Sequence, residues 1–330
     1  MSKVCVIGDG GWGTALACVL QRNGHEVTVW GPFQENIDAV AEAGENTAFL
    51  PGVKLSPDIT WTTDRAAAVA GIEAVLVVVP SKFFREVMQS FSGLIPDTAP
   101  LISATKGFDQ KTHQRMSEVA EDVLGRGPVA VLSGPSHAEE VALGIPSAVS
   151  IACPDLDLAH RFQAIFSGEA FRVYTLTDAI GAELGGAMKN VMAIAAGVCD
   201  GIGYGDNTKA ALITRGLAEM TRLGMAMGAE ASTFSGLSGM GDLIVTCTSK
   251  HSRNRSVGER LGRGETTEEI LGSMAMVAEG VPNSANAHDL AKKLGVEVPI
   301  TEEVYAIVHE GKNPKEAVKA LLTREPKEEM

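Results

Sequence analysis

A doubly wound α/β sheet of parallel strands, followed by an all-helical second domain, is the fold that this 330-residue sequence predicts. Three observations carry the prediction. Short apolar runs alternate with helical ones over the first half of the chain. Long helical stretches without a convincing strand fill the second half. A glycine motif stands directly between the first apolar run and the first helix.

Taken in order, strands are expected at Val4–Ile7, Glu26–Trp30, Ala74–Val79, Leu101–Ala104, Val129–Leu132 and Ala148–Ala152, with a last candidate at Arg172–Tyr174. Most are continuous Val/Ile/Leu/Ala runs, the pattern of parallel strands covered on both faces. Helical periodicity lies between them at Thr14–Arg22, Phe84–Phe91 and Thr112–Leu124, which implies right-handed crossovers. From about Asp178 the helical stretches are Ala179–Cys199, Lys209–Met227, Glu268–Met276, Ala285–Leu294 and Glu302–Glu310. A boundary between Thr175 and Glu183 then gives a dinucleotide-binding domain over residues 1–178 and a helical substrate and catalytic domain over residues 179–330.

Hydrophobic residues make up 45% and charged residues 21%, a composition able to bury a sizeable core. The net charge of −13, without long Lys/Arg runs, argues against nucleic acid or an anionic membrane as the main partner. No apolar run approaches the ~18 residues of a membrane span, and "MSKVCVIG" turns to glycine too soon for a signal-peptide core. The cysteines Cys5, Cys18, Cys153, Cys199 and Cys247 form no C-x-x-C pair and no metal-ligand spacing, so no metal is expected. They read as small buried hydrophobes in a reducing, cytoplasmic compartment.

"VCVIGDGGWGTALA" sets Gly8, Gly10 and Gly13 in a G-x-G-x-x-G after an apolar strand and at the start of a helix. The first glycine permits the tight turn, the second lets backbone approach a pyrophosphate, and the third lets helix pack on strand. The helix start adds unpaired N–H groups and positive dipole. After the second strand an Asp or Glu ordinarily meets the ribose of NAD, or an Arg the 2′-phosphate of NADP. Here "VTVWGPFQEN" places Gly31, Pro32 and Phe33 at that point, so the choice between the two cofactors stays open. The segments "PSKFF", "TKG" and "SGPSHAEE" follow later strands and face the same crevice.

Hydride transfer also requires a group that exchanges the alcohol proton. None of the seven histidines is compellingly placed, although His137 could line the crevice. Lys189 is the better candidate, as the only charged residue between Glu183 and Asp200. Gly185 and Gly186, at helical spacing from it, would admit another backbone or a cofactor, and desolvation would shift the amine toward useful proton exchange. The plain structural alternative is a lysine that snorkels out of an apolar helix. Asp242 reads either as a helix N-cap or as a carboxylate paired with a nearby lysine, and Thr246 lies one helical turn beyond it. A basic loop, "SKHSRNR" (Ser249 to Arg255), comes next, inside an acid-free span between Asp242 and Glu259. It is either an ordinary solvated loop or an anion site.

The segments "GDGGWGTALA", "ENTAFLPG", "TKG", "GPSHAEEV", "MKNVMAIAAG", "SGMGDLIVTCTSKHSRNR", "VAEGV" and "PITEEVYAIVHEGKNP" occur in this order. Together, from residue 4 to about residue 327, they resemble the bacterial NAD(P)-dependent sn-glycerol-3-phosphate dehydrogenases. The resemblance implies a Rossmann-type domain and a helical domain like the C-terminal part of 6-phosphogluconate dehydrogenases. It further implies NAD or NADP as cofactor and interconversion of dihydroxyacetone phosphate and glycerol 3-phosphate, feeding phospholipid synthesis, in a cytoplasmic homodimer. Carried over by position, Lys189 matches the proton acceptor, with Asp242 and Lys106 as the other catalytic positions. Lys106, Gly134, Ser136, Lys189, Asp242, Thr246, Ser252, Arg253 and Asn254 are implied to meet substrate. Gly8, Gly10, Gly11, Trp12, Gly13, Lys106, Ala138, Arg253, Val277 and Glu279 are implied to meet cofactor. The chain departs from the family pattern at Asp9 and Gly11, at Pro32 where an Arg is frequent, and at His137 where an aromatic is common. A dehydrogenase of β-hydroxyacids or hydroxyacyl-CoA is a rival reading, but it leaves the basic stretch idle or needs a His–Glu pair not found here. A dinucleotide sensor without turnover would leave Lys189 and Asp242 without a task.

Overall fold

The computed structural model describes residues 1–274, 276–326 and 328–329, and the chain divides into two compact units, Met1–Glu183 and Leu184–Met330.

The first unit is built on one eight-stranded sheet. Its strands are β1 (Lys3–Ile7), β2 (Glu26–Trp30), β3 (Thr60–Thr62), β4 (Ala74–Val77), β5 (Leu101–Ser103), β6 (Ala130–Ser133), β7 (Ser147–Ala152) and β8 (Phe171–Leu176), in the spatial order β3-β2-β1-β4-β5-β6-β7-β8. The first six follow the doubly wound Rossmann order, whose reversal between β1 and β4 opens a crevice beyond the strand C-termini. Every neighbouring pair is parallel except β6 with β7, which runs antiparallel and corrects the expectation of an all-parallel sheet. A parallel return takes a crossover of a dozen or more residues, usually a helix. The helix joining these two strands, Ala138–Ala142, has five residues and is roughly 7.5 Å long at 1.5 Å per residue, so the chain reverses instead.

The unit's helices are α1 (Gly11–Arg22), α2 (Gln34–Ala43), α3 (Arg65–Ala68), α4 (Ser81–Phe91), α5 (Met116–Leu124), α6 (Ala138–Ala142) and α7 (Leu156–Phe166). They cover both faces of the sheet. Val4, Val6, Val27, Val29 and Leu76 face one way onto Leu16 and Leu20 of α1. Cys5, Ile7, Val75 and Val77 face the other way onto Phe84, Met88 and Phe91 of α4. Alternate residues of each run thus enter opposite cores, which is why most of the runs are continuously apolar. Helix α5 starts after the expected Thr112. The Asp109 carboxylate collects the N–H groups of Lys111 and Thr112, and His113 takes a left-handed φ of 58°, so a turn forms there first.

Among its described residues the second unit has helices and no strand. Helix α8 (Ala179–Ile202) begins in the first unit and continues into the second. There follow α9 (Asp206–Ala226), α10 (Ala231–Phe234), a π-helical turn (Leu237–Gly241), α11 (Asp242–Thr248), α12 (Arg253–Gly262), α13 (Thr267–Gly272), α14 (Gly280–Leu294), α15 (Pro299–Glu310) and α16 (Pro314–Leu322). The helix expected over Glu268–Met276 stops at Gly272, and its residue 275 lies outside the described residues. Helix α8 is buried from Gly181 to Cys199. On α8, a Cβ at Gly197 or Gly201 would overlap the carbonyl oxygens of Arg255 and Glu259 on α12. In return a Cβ at Gly258 would overlap Ile194 O. The two helices therefore touch backbone to backbone. All five cysteines are buried and free. Among the described residues no helix is long and apolar enough to cross a membrane, and no group of three His, Cys, Asp or Glu side chains could hold a metal ion.

Candidate active site

The glycine loop joins β1 to α1 through three differently constrained glycines. Gly8 has φ +123°, and a Cβ on it would overlap Val78 O just beyond β4, so only glycine fits. A Cβ on Gly13 would overlap Gly8 O, which shows how closely α1 packs on the loop. Around Gly10 nothing lies within 4 Å of a Cβ. Gly10 caps α1 without any side-chain bond, so the first-turn N–H groups of a twelve-residue helix have no capping side chain. The indole Nε1 of Trp12 is buried without a hydrogen-bond partner among the described residues. Open space, uncapped N–H donors and an orphaned buried donor fit an anionic dinucleotide. Gly11 lies beside Ala138 of α6, its Cβ position 3.9 Å from the Ala138 Cβ.

Asn46 makes the loop rigid. It is fully buried, and its Nδ2 donates to Asp9 O at 2.7 Å and to Thr14 Oγ1 at 2.8 Å. Thr14 Oγ1 in turn donates to Asp9 O at 3.3 Å. Nothing in "ENTAFLPG" singles out Asn46 locally, because clamping a carbonyl 37 residues away leaves no pattern in the sequence.

Beyond β5 and β6 the chain gathers Lys106, Gly134 and Ser136. Lys106 Nζ donates to Gly134 O at 3.1 Å and Ser136 Oγ to the same oxygen at 2.9 Å. His137 then occupies the N-cap position of α6, directly before Ala138.

In the second unit Lys189 Nζ donates a short, charge-assisted hydrogen bond to Asp242 Oδ1. Lys189 is 8% exposed and Asp242 0%, so the lysine is held in the interior by a carboxylate and does not snorkel. Asp242 is the first residue of α11, after the π-helical turn, and its side chain is turned to Lys189. The helix-cap alternative therefore gives way to the pair. Thr246 is buried and its Oγ1 donates to Asp242 O at 2.6 Å, tightening the same turn. The space opposite Gly185 is taken by backbone, since a Cβ there would overlap Ser238 O. Burial pushes the neighbouring Cys247 thiol up to about 12, which keeps it protonated.

The basic stretch is a loop only as far as Ser252, where α12 begins; that corrects the expectation of a loop throughout. Ser252 is the N-cap, its Oγ accepting from Arg255 N at 3.2 Å. Arg253 is exposed and its Nη1 donates to Val277 O at 3.0 Å. Asn254 is buried, its Nδ2 donating to Asn190 Oδ1 at 2.9 Å and its Oδ1 accepting from Gly280 N at 2.9 Å. It thereby ties α12 to α8 and to the start of α14, where Glu279 stands in the N-cap position. Asn190 was missed in the sequence, although it directly follows Lys189. Arg255 turns away to Asp200, which Lys209 also contacts.

Comparison with known proteins is consistent along the whole chain. Residues 3–159 match the model of the NAD-dependent glycerol-3-phosphate dehydrogenase N-terminus, and residues 178–319 that of its C-terminus. A glycerol-3-phosphate dehydrogenase [NAD(P)+] of Citrifermentans bemidjiense is 51% identical, covering 99% of this chain and 98% of its own. The enzyme of that name from Geobacillus kaustophilus is 50% identical, covering 100% and 97%. The crystal structure of glycerol-3-phosphate dehydrogenase from Coxiella burnetii superposes with a TM-score of 0.94 at 40% identity, covering 98% of this chain and 99% of that one. The chain belongs to the NAD-dependent glycerol-3-phosphate dehydrogenase family.

Proposed function

We propose that this chain interconverts dihydroxyacetone phosphate and sn-glycerol 3-phosphate with NAD or NADP, using Lys189 for proton exchange and the start of α12 for the phosphate. Residues 1–178 take the dinucleotide and residues 179–330 the substrate and the proton chemistry. The observation that carries the reading is the buried Lys189–Asp242 pair, a proton-bearing group kept in the interior of a helix that has no other charge between Glu183 and Asp200.

Bound nicotinamide supplies the hydride acceptor or donor. In the reducing direction the Lys189 ammonium gives a proton to the C2 oxygen and is left as the neutral amine. In the oxidising direction that neutral amine takes the proton of the C2 hydroxyl and becomes the ammonium again. Asp242 Oδ1 fixes the position of Nζ, and the ammonium form stabilises negative charge on the carbonyl oxygen. Arg253 offers a guanidinium to the phosphate, joined by the α12 N-terminus that Ser252 caps and by the remaining N–H of Asn254. Net charge does not oppose this. A pair at ~4 Å is worth roughly 4 kcal/mol at an effective dielectric of ~20, whereas charges beyond a Debye length of ~8 Å are largely screened. A cytoplasmic homodimer that supplies glycerol 3-phosphate for phospholipid synthesis is part of the same proposal and rests on the family resemblance.

The test follows absorbance at ~340 nm, where reduced nicotinamide absorbs, with dihydroxyacetone phosphate and with unphosphorylated dihydroxyacetone. Arg253→Gln should raise the KM for the phosphate ester roughly 10- to 100-fold, the worth of a charged hydrogen bond, and leave that for dihydroxyacetone nearly unchanged. Equal effects on both would remove Arg253 from the role.

A further inference from the structure

We infer that Asp9 reads the adenosine ribose and makes this chain prefer NAD to NADP, performing from the glycine loop the task that an acid at the end of β2 performs in other doubly wound folds. The inference rests on the glycine loop being the dinucleotide site.

Strands β1 and β2 pair in parallel with Ile7 opposite Trp30, and Gly8 N donates to Trp30 O at 2.9 Å. Asp9 and Gly31 therefore leave adjacent strands side by side. A Cβ on Gly31 would overlap the Asp9 carboxylate and stand 2.9 Å from the Asp9 Cβ. The space that a side chain at position 31 would fill is thus filled by a carboxylate from position 9. Glycine at position 31 is what admits it, so the acid that the sequence lacks at the β2 terminus is present in space.

The carboxylate is held in place. Asn36, in the first turn of α2, donates its Nδ2 to Asp9 Oδ2 at 2.6 Å. The carbonyl of Asp9 is fixed independently by Asn46 and Thr14. Burial raises the Asp9 carboxyl from its ordinary range, and the Asn36 amide works against this by donating to the ionised form.

The surrounding charge points the same way. From residue 23 to residue 53 the sequence has no Lys or Arg, while Glu35, Asp38, Glu42 and Glu45 fall within it. Pro32, where a cation would meet a 2′-phosphate, offers neither charge nor N–H. A ribose diol would find an acceptor in Asp9, whereas a 2′-phosphate would face a carboxylate without a counter-charge from this segment. Discrimination would then come mainly from repulsion of the wrong cofactor.

The test is binding of NADH and NADPH to the full chain without substrate, by calorimetry or nicotinamide fluorescence. Wild type should bind NADH at least ~10-fold tighter than NADPH, and Asp9→Asn should close that ratio by ~10-fold, chiefly through tighter NADPH. Asp9→Ser, which is smaller and cannot crowd Asn36, should do the same, with melting curves confirming that both variants are folded. A wild-type ratio near one overturns the inference without any variant. An unchanged ratio in folded variants overturns it as well. If neither dinucleotide binds wild type, the glycine-loop reading itself fails and takes this inference with it; normal binding with an unaltered ratio removes Asp9 alone.

Discussion

Removing the ammonium of Lys189 should separate its structural work from its chemical work. Asp242 is 0% exposed and Lys189 8%, so Lys189→Met leaves a carboxylate in the interior without that counter-charge. Breaking such a pair from one side costs about 3–5 kcal/mol. At about 2–4 °C per kcal/mol for a unit of this size, the melting temperature should fall by roughly 6–20 °C. Turnover should fall by ~10²- to 10⁴-fold, the range of a lost general acid–base group, while NADH titration stays normal. Asp242→Leu should destabilise similarly by stranding the ammonium. The double variant Lys189→Met/Asp242→Leu should regain most of the lost stability, because replacing a whole buried pair by apolar groups is often neutral or better. It should regain no turnover. Calorimetric melting and initial rates at saturating cofactor read the two quantities separately. Near-normal turnover in Lys189→Met would refute the chemical role, and additive destabilisation in the double variant would refute the coupling between the two residues.

Two further outcomes follow from packing and burial. Gly258→Ala would drive a Cβ into Ile194 O and to 2.9 Å from Val198 N. It should cost about 1–3 kcal/mol as overpacking and raise the KM for dihydroxyacetone phosphate. Gly272→Ala, where nothing lies within 4 Å, should change stability by less than about 0.5 kcal/mol; equal effects of the two would contradict the helix contact. Glu219 accepts from Ile300 N, Thr301 N and Thr301 Oγ1 at the start of α15, yet burial pushes its carboxyl from 4.5 up to about 7. The folded chain therefore holds a proton that the unfolded chain releases over that interval. The stability this group contributes is fully present below pH 4.5 and is lost as pH rises to about 7, a loss of about 3 kcal/mol at 1.36 kcal/mol per unit. Glu219→Gln should abolish that slope, so parallel melting-temperature profiles for wild type and variant would contradict it.

What the sequence made legible follows from what carries a periodic signal. Strand β4 stood out because all four of its residues are apolar and buried, and β1 and β2 because buried apolar residues dominate them after a charged first residue, Lys3 and Glu26. Strand β3, with Thr60, Trp61 and Thr62 at the sheet edge, has too short a run to register. The reversal at β7 was invisible because alternation carries no direction. Helix α12 was missed since Gly258 and Gly262 stand where an apolar stripe would, and its packing surface is backbone. In the site, Lys189 was readable as a lone charge in an apolar helix. Asn46 and Asn190 were not, because each serves partners distant in sequence, and polar side chains that bond distant groups leave no spacing to read. The same holds for Asp9, whose neighbour Gly31 looked like a missing acid until the two strands were placed together.

The glycine-lined meeting of α8 and α12 acts as a gauge block. No rotamer intervenes between the two main chains, so the distance from the amine of Lys189 to the N-terminus of α12 is set once, when the helices assemble. If Lys189 serves the carbonyl and that N-terminus the phosphate, as proposed, a ligand with one carbon more or fewer between the two groups could not engage both ends at once, since a displacement of about 1 Å can cost ~10²-fold in rate. Chain-length selectivity would then reside in helix spacing and not in a pocket wall. Adapting this scaffold to a longer phosphorylated ketone would mean prising two helices apart, which no single side-chain exchange at the rim would accomplish.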